Sequence, residues 1–134
     1  MEVMSSRQEF LQDLYEAFNK KEIETIIAML RPDVKWANGM KGGFVHGRDN
    51  VRDYWLEQFE NIRGRPEPLK FETDETGRDV VSVHLTVHDR EGNLLLEKNV
   101  RHMFTIEDGL ISLFEMDDPE PVHDIIDGTR YSAK

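Results

Sequence analysis

The second half of the chain alternates apolar and polar residues, and this alternation restricts the fold more than any other feature of the sequence. Residues 69–73 follow it, and a stronger example is formed by Val81, Val83, Leu85 and Val87. A period of two is typical of strands with one buried face. Two more strands are predicted over residues 94–106 and 110–117, joined by Asp108-Gly109, a strong hairpin signal. Four late strands therefore predict an antiparallel sheet.

The first half of the chain has helical periodicity. A capping box at residues 6–9 opens a predicted helix, in which apolar residues recur at helical spacing: Phe10, Leu11, Leu14, Ala17 and Phe18. A short second helix ends before Pro32. A short strand is predicted over residues 33–37 and a third helix over residues 47–62. Helices that precede strands favour an α+β fold, with the helices packed on one face of a curved antiparallel sheet.

The composition limits the class of protein. The chain has 134 residues, of which 38% are hydrophobic, and this suits a single domain with one core. The 17 Lys and Arg against 27 Asp and Glu give a net charge of −10, which disfavours nucleic acid and anionic membranes as partners. The absence of cysteine excludes disulfides, thiol catalysis and cysteine-based zinc sites. We expect a cytoplasmic protein, because the sequence has neither an apolar signal region nor a long apolar run.

Three short motifs, in this order and spacing, resemble those of one protein family. They are FNKKEI with LRPDVKW at residues 18–23 and 30–36, HGRDNV at residues 46–51, and FTIEDGLI at residues 104–111. The resemblance is to NTF2-like proteins, including the SnoaL-like and ketosteroid-isomerase-like groups, and covers residues 7–118. It implies a cone-shaped, cystatin-like domain with three N-terminal helices on the concave face of the sheet, a pocket in the wide end and, commonly, a homodimer. Residues 119–134 would then form a C-terminal extension.

The resemblance implies no single activity, because the family holds isomerases, cyclases, epoxide hydrolases, dehydratases and binding modules. Steroid isomerase chemistry is disfavoured. By resemblance, the catalytic aspartate falls at Asn38, which cannot take a proton from carbon, and the oxyanion carboxylic acid falls near His102. The helix-one tyrosine falls at Leu14, with Tyr15 about 100° further around the helix. The Arg-x-Asp pattern of the epoxide hydrolases is absent as well.

The last hairpin supplies the candidate catalytic residues. If Asp108-Gly109 is a tight turn, the numbers of paired residues sum to 217, so His102 faces Glu115. This pair and the nearby Asp117 would lie on the same side of the sheet as the Ile106–Ile111 pair. Glu115 would orient the imidazole and raise its pKa, which prepares a general acid or base, and Asp117 would be a second one. The alternative is a structural ion pair at the solvent-exposed end of the sheet.

Six further side chains are candidates for substrate binding: Tyr15, Trp36, Asn38, His46, Tyr54 and Trp55. Four of them also have a structural alternative. Trp36 equally fits plain core packing, and Tyr15 and Tyr54 equally fit the edge of the core. His46, beside the glycine-containing loop at residues 38–43, also fits a surface or helix-capping role.

No metal site is predicted, because His84 and His88 lie four residues apart along one strand, about 13 Å, too far to share an ion. On the opposite face to His102 we expect an apolar patch formed by Leu95, Met103, Phe114 and Met116. Such a patch suggests a homodimer through the sheet face.

These patterns predict a small-molecule pocket. As an enzyme, the protein would carry out acid–base chemistry of the isomerase, cyclase or hydrolase type, without a cofactor, on a small, partly apolar substrate. The alternative is a non-catalytic ligand-binding or protein-interaction module of the same fold.

Overall fold

The computed structural model describes residues 5–39 and 41–117, and the predicted extension at residues 119–134 lies outside them. The helices are α1 (Ser6–Asn19), α2 (Ile23–Ile27) and α3 (Arg48–Asn61). The strands are β1 (Leu30–Ala37), β2 (Phe44–His46), β3 (Ile62–Thr73), β4 (Asp79–Asp89), β5 (Leu94–Glu107) and β6 (Leu110–Asp117).

The strands form one six-stranded sheet in the order β2-β1-β6-β5-β4-β3. Strands β3 to β6 are an antiparallel meander, and β2 is antiparallel to β1. The β1–β6 pair is parallel, because α3 carries the chain to the far edge of the sheet and the meander returns to β1 from there. The predicted α+β class is confirmed, with this one parallel pair in the sheet.

Helix α1 begins one residue earlier than predicted. The Ser5 hydroxyl accepts a hydrogen bond from the backbone N–H of Gln8 at 3.1 Å, and the Gln8 side chain accepts from the N–H of Ser5 at 3.1 Å. The two bonds satisfy free donors at the helix start. In contrast, α2 is shorter than predicted, and Leu30 belongs to β1. Pairing with β6 explains this, since the N–H of Ile111 donates to the carbonyl of Met29 at 3.0 Å.

The core lies between the helices and one face of the sheet, which we call the inner face. Its fully buried side chains come from helices and strands alike: Leu11, Ile26, Leu30, Val34, Val51, Trp55, Val81, Val83, Phe104 and Ile111. Burial of each such side chain stabilises the fold by roughly 1.5–3 kcal/mol. The alternation in β4 is therefore the inner-face pattern that the sequence predicts.

Two strands differ from the sequence prediction: β3 begins earlier than predicted, and β2 is not predicted at all. Strand β3 begins at Ile62, directly after α3, whereas the alternation becomes visible only from Leu69. Pro66 and Pro68 hide its first half, and they are tolerated because β3 is an edge strand. Strand β2 closes a hairpin with β1 over Gly42 and Gly43, which have φ of +80° and +72°. No helix in the described ranges is long and apolar enough to cross a membrane.

Candidate functional site

The β5–β6 hairpin has a bulge that changes the predicted pairing. Ile106 faces Ile111 as predicted, but Thr105 faces Leu113, so Ser112 is an additional residue on β6. Beyond the bulge, His102 faces Met116 and not Glu115. The predicted His102–Glu115 pair is therefore wrong, because one additional residue moves every later side chain of a strand to the other face.

Both carboxylates point to the outer face, away from His102. Glu115 pairs with Arg78, at 2.8 Å between Oε1 and a terminal guanidinium nitrogen. Asp117 forms an ion pair with Arg101 across the hairpin. The bulge thus separates the predicted catalytic carboxylates from the histidine they were expected to orient.

The partner of His102 is Tyr15 on α1. The Tyr15 hydroxyl lies 2.7 Å from His102 Nδ1, and the two rings are parallel within 8°. Only 4% of Tyr15 and 8% of His102 is exposed. Burial lowers the pKa of His102 to about 3 and raises the pKa of Tyr15 well above its usual value. Both side chains are therefore neutral at neutral pH.

The hydrogen bond indicates which nitrogen of His102 carries the proton. A neutral imidazole has one acceptor nitrogen, and a buried hydroxyl needs an acceptor. Nδ1 is the side-chain partner of the Tyr15 hydroxyl among the described residues. We therefore assign the hydroxyl as donor to Nδ1, which leaves the ring proton on Nε2. No described residue accepts a hydrogen bond from Nε2.

His102 sits in a group of six rings, which we call the aromatic cluster: Tyr15, Trp36, Trp55, His102, Phe104 and Phe114. Trp36 stacks on Phe114 with centroids 4.1 Å apart, and Trp55 meets Trp36 edge-on at 4.7 Å. The His102 ring contacts Phe114 at 4.9 Å. Three of the predicted binding residues, Tyr15, Trp36 and Trp55, thus come together with His102.

Asn38, Gly39 and Tyr54 form a polar group at the end of β1, which we call the rim. The N–H of Gly39 donates to the Tyr54 hydroxyl at 3.2 Å, and Asn38 Oδ1 accepts from the N–H of Lys41. Met116 lies close to Gly39 and faces His102 across the hairpin. Burial raises the pKa of Tyr54. The rim therefore carries a neutral hydroxyl and an amide next to the strand position opposite His102.

His46 is not brought into the cluster. It is exposed on β2, whereas its neighbour Val45 packs against the core. His46 borders an open depression of about 390 Å³ at the start of α3, lined also by Pro32 and residues 47–50. Of the six predicted binding residues, His46 is the one that lies on the side of its strand away from the core.

Asp79 is an inner-face carboxylate that the sequence interpretation missed. It is 5% exposed and pairs with Arg7 on α1, at 2.8 Å between Oδ2 and Nε. Asp79 stands in phase with Val81 and Val83, and this parity alone predicts an inward side chain. On β5, Phe104 faces Asp79 and His102 faces Val81, so Asp79 and His102 belong to successive inner-face pairs of the two strands.

The predicted outer apolar patch is wrong in two of its four members. Phe114 is 4% exposed and stacks on Trp36, and Met116 shares the face of His102, both as a result of the bulge. Met103 does point outward, where its cross-strand partners are Val80 and Glu115.

His84 lies on the outer face within a polar group. Its Nδ1 is 3.0 Å from Asn99 Oδ1 and its Nε2 is 2.8 Å from Glu97 Oε2. Both bonds raise the pKa of His84, and the bond to Asn99 contributes most. Within the described residues, no three His, Asp or Glu side chains are grouped so as to hold a metal ion.

The fold is that of a known family. The chain belongs to the SnoaL-like domain family, whose model matches residues 11–114. This confirms the predicted membership of the NTF2-like superfamily. No curated protein matches the chain.

Solved structures of the same fold include an NTF2-like protein of unknown function from Burkholderia pseudomallei, with 28% identity, a TM-score of 0.73 and coverage of 86% of this chain and 92% of that one. TerC, co-crystallised with polyporic acid, has 23% identity, a TM-score of 0.71 and coverage of 84% and 90%. The epoxide hydrolase/cyclase-like enzyme SalBIII, with a role in pyran ring formation in the polyether salinomycin, has 16% identity, a TM-score of 0.71 and coverage of 83% and 88%.

Proposed function

We propose that this protein binds a small, partly apolar molecule at the aromatic cluster and acts on it without a cofactor, with neutral His102 as the hydrogen-bond donor that stabilises developing negative charge. The Tyr15–His102 hydrogen bond inside a cluster of aromatic rings carries this proposal. A polar pair held this way offers one directed donor in surroundings where a hydrogen bond is electrostatically stronger than in water.

The low pKa of His102 decides its role. An imidazole with a pKa of about 3 is a weak base at neutral pH, so it is poorly suited to take a proton from carbon. Its Nε2–H is suited to donate a hydrogen bond to a carbonyl oxygen and to stabilise negative charge that develops there. Tyr15, and not Glu115, orients the ring and its tautomer in this account. Isomerase, cyclase and hydrolase reactions of carbonyl substrates that pass through an enolate or a tetrahedral intermediate contain such a step.

The remaining inner side chains give the ligand its chemical class. Trp36, Trp55 and Phe114 supply apolar ring surfaces, and Asn38 and Tyr54 supply polar groups at the rim. A small, largely apolar ligand with a carbonyl oxygen fits both. Polyporic acid, with which the related TerC was co-crystallised, is a suitable first compound to test.

The experiment is a binding and turnover screen of aromatic and aliphatic ketones, together with polyporic acid. We expect a hit to bind wild-type protein and the Glu24→Gln control, which changes only an exposed ion pair with Arg52, while Tyr15→Phe lowers turnover by roughly 10- to 100-fold, because a mispositioned donor loses most of its effect. Equal turnover of wild type and a His102→Leu variant, which has no donor, would contradict the role of His102 as a hydrogen-bond donor.

The alternative is a non-catalytic binding module. It is favoured by the small exposed fractions of Tyr15 and His102, which also suit a polar pair that only stabilises the core. Binding of a compound without any chemical change, in wild type and in His102→Gln alike, would support this alternative.

We also propose a homodimer through the outer sheet face. Val80, Met103 and Leu113 share that face and are partly exposed, and a second copy would cover them. We expect Met103→Glu to shift a dimer to monomer in analytical ultracentrifugation; a wild-type protein that is monomeric at all concentrations would contradict this. The cytoplasmic location stays a prediction from the sequence.

A further inference from the structure

Helix α1 makes three polar contacts with the sheet, all from one side. Arg7, Leu11, Tyr15 and Asn19 are spaced four residues apart and therefore lie along one stripe of the helix. Leu11 is fully buried. Arg7 pairs with Asp79 on β4, Tyr15 bonds to His102 on β5, and Asn19 donates to the carbonyl of Pro66 on β3 at 2.9 Å. The helix is thus attached to three different strands.

Two of these contacts lie next to each other on the sheet. Asp79 and His102 belong to successive inner-face pairs of β4 and β5, where diagonal neighbours are about 7–8 Å apart. On the helix, Arg7 lies two turns before Tyr15. The Arg7 side chain contacts Asp79, and the Tyr15 side chain contacts His102. A rotation or shift of α1 that breaks one contact would therefore change the geometry of the other.

The Arg7–Asp79 pair is built differently from the other ion pairs of the described residues. The Asp79 side chain is 7% exposed, whereas every other carboxylate side chain in these pairs is at least 23% exposed. A buried carboxylate needs its partner in place, because an uncompensated buried charge is costly. Surface ion pairs, in contrast, contribute little to fixing a helix.

We propose that Asp79, through Arg7, is a positioning residue of the His102 site: the ion pair holds α1 at the rotation in which the Tyr15 hydroxyl meets His102 Nδ1. The inference rests on the proposed function of the Tyr15–His102 pair. Asp79 itself touches neither the hydroxyl nor the imidazole among its described contacts, so it acts through the helix.

The test is the ¹⁵N resonance of His102 Nδ1 in the full-length chain, with Tyr15→Phe as the reference for a lost hydrogen bond. We expect Asp79→Asn and Arg7→Gln each to move this resonance by roughly half of the difference between wild type and Tyr15→Phe, since contacts that share one rigid element are energetically coupled. Asp79→Glu, which keeps the charge, should restore much of the wild-type position. Glu24→Gln removes a carboxylate from the exposed ion pair with Arg52 and should leave the resonance unchanged.

The outcomes separate the two claims. If Asp79→Asn and Arg7→Gln fold and leave the His102 resonance at its wild-type position, the positioning role is wrong, whatever their effect on the urea midpoint. If Tyr15→Phe itself fails to move the resonance, the Tyr15–His102 bond and the proposed function are wrong. Arg7 is half-exposed, so Arg7→Gln remains informative if Asp79→Asn does not fold.

Discussion

His102 and His84 lie on neighbouring strands of one sheet, yet their surroundings move the pKa in opposite directions. His102 faces inward, meets a neutral hydroxyl and is buried, which lowers its pKa to about 3. His84 faces outward, bonds to Asn99 and Glu97 and has a raised pKa. Burial without a charged partner favours the neutral ring, whereas acceptor oxygens at both nitrogens favour the charged ring. The face of the sheet therefore decides which histidine is a neutral hydrogen-bond donor.

The largest expected effect is on acid stability. The folded-state pKa of His102 is depressed below its unfolded value of about 6.5, so the fold favours the neutral ring. Its contribution is present above pH 6.5 and is lost as the pH falls toward 3. Between pH 7.5 and 5 we expect the free energy of unfolding to fall by about 2 kcal/mol because of His102 alone, as measured by urea denaturation.

His102→Gln is the control for that stability prediction, since glutamine does not titrate. The variant should lose this part of the pH dependence, although its stability at pH 7 is lower than that of wild type. An unchanged slope in the variant would mean that His102 is not the group that binds protons on unfolding.

A smaller effect is expected from removal of the Tyr15 hydroxyl. Tyr15→Phe leaves Nδ1 of His102 as a buried acceptor without its partner, which costs about 1–3 kcal/mol in the free energy of unfolding. Tyr54→Phe is matched to it, because the Tyr54 hydroxyl accepts from the exposed N–H of Gly39, which water can satisfy. Equal losses in the two variants would contradict a special role for the Tyr15–His102 bond.

The smallest expected effect is a change in the pKa of His84. Glu97→Gln removes the carboxylate that bonds to the His84 ring, so the pKa of His84 should fall toward 6.5. The pKa of His102 should not change. The raised pKa of His84 favours folding below pH 6.5, and this contribution is lost as the pH rises through the folded-state pKa, the opposite sign to that of His102. NMR titration of both imidazoles measures the change, and a His102 response would contradict the separation of the two faces.

Much of the fold follows from local patterns, because hydrophobic periodicity depends only on which side chains are buried. The alternation at Val81 and Val83 predicts the inner face of β4, and β6 has the bounds expected from the Asp108-Gly109 turn. Strand β3 was predicted too short, since Pro66 and Pro68 conceal an edge strand.

The site could be predicted only in part. Tyr15 and His102 were both recognised as candidates, but their contact joins residues 87 positions apart and depends on the rotation of α1 over the sheet. Ser112 has no property that distinguishes a bulge residue from an ordinary strand residue, so the pairing of His102 with Glu115 was predicted instead. The inward position of Asp79 could have been predicted, because Asp79 lies two residues before Val81 and strand side chains alternate between the two faces.

The most direct test of this account is an NMR pH titration of the His102 ring nitrogens, with His84 in the same spectra as an internal reference. We expect a neutral ring with its proton on Nε2 throughout pH 5–8, while His84 titrates above 6.5. Titration of His102 near 6.5, or a ring proton on Nδ1, would contradict this expectation, because His102 would then be a solvated imidazole or a donor to Tyr15 and not the proposed donor to a ligand.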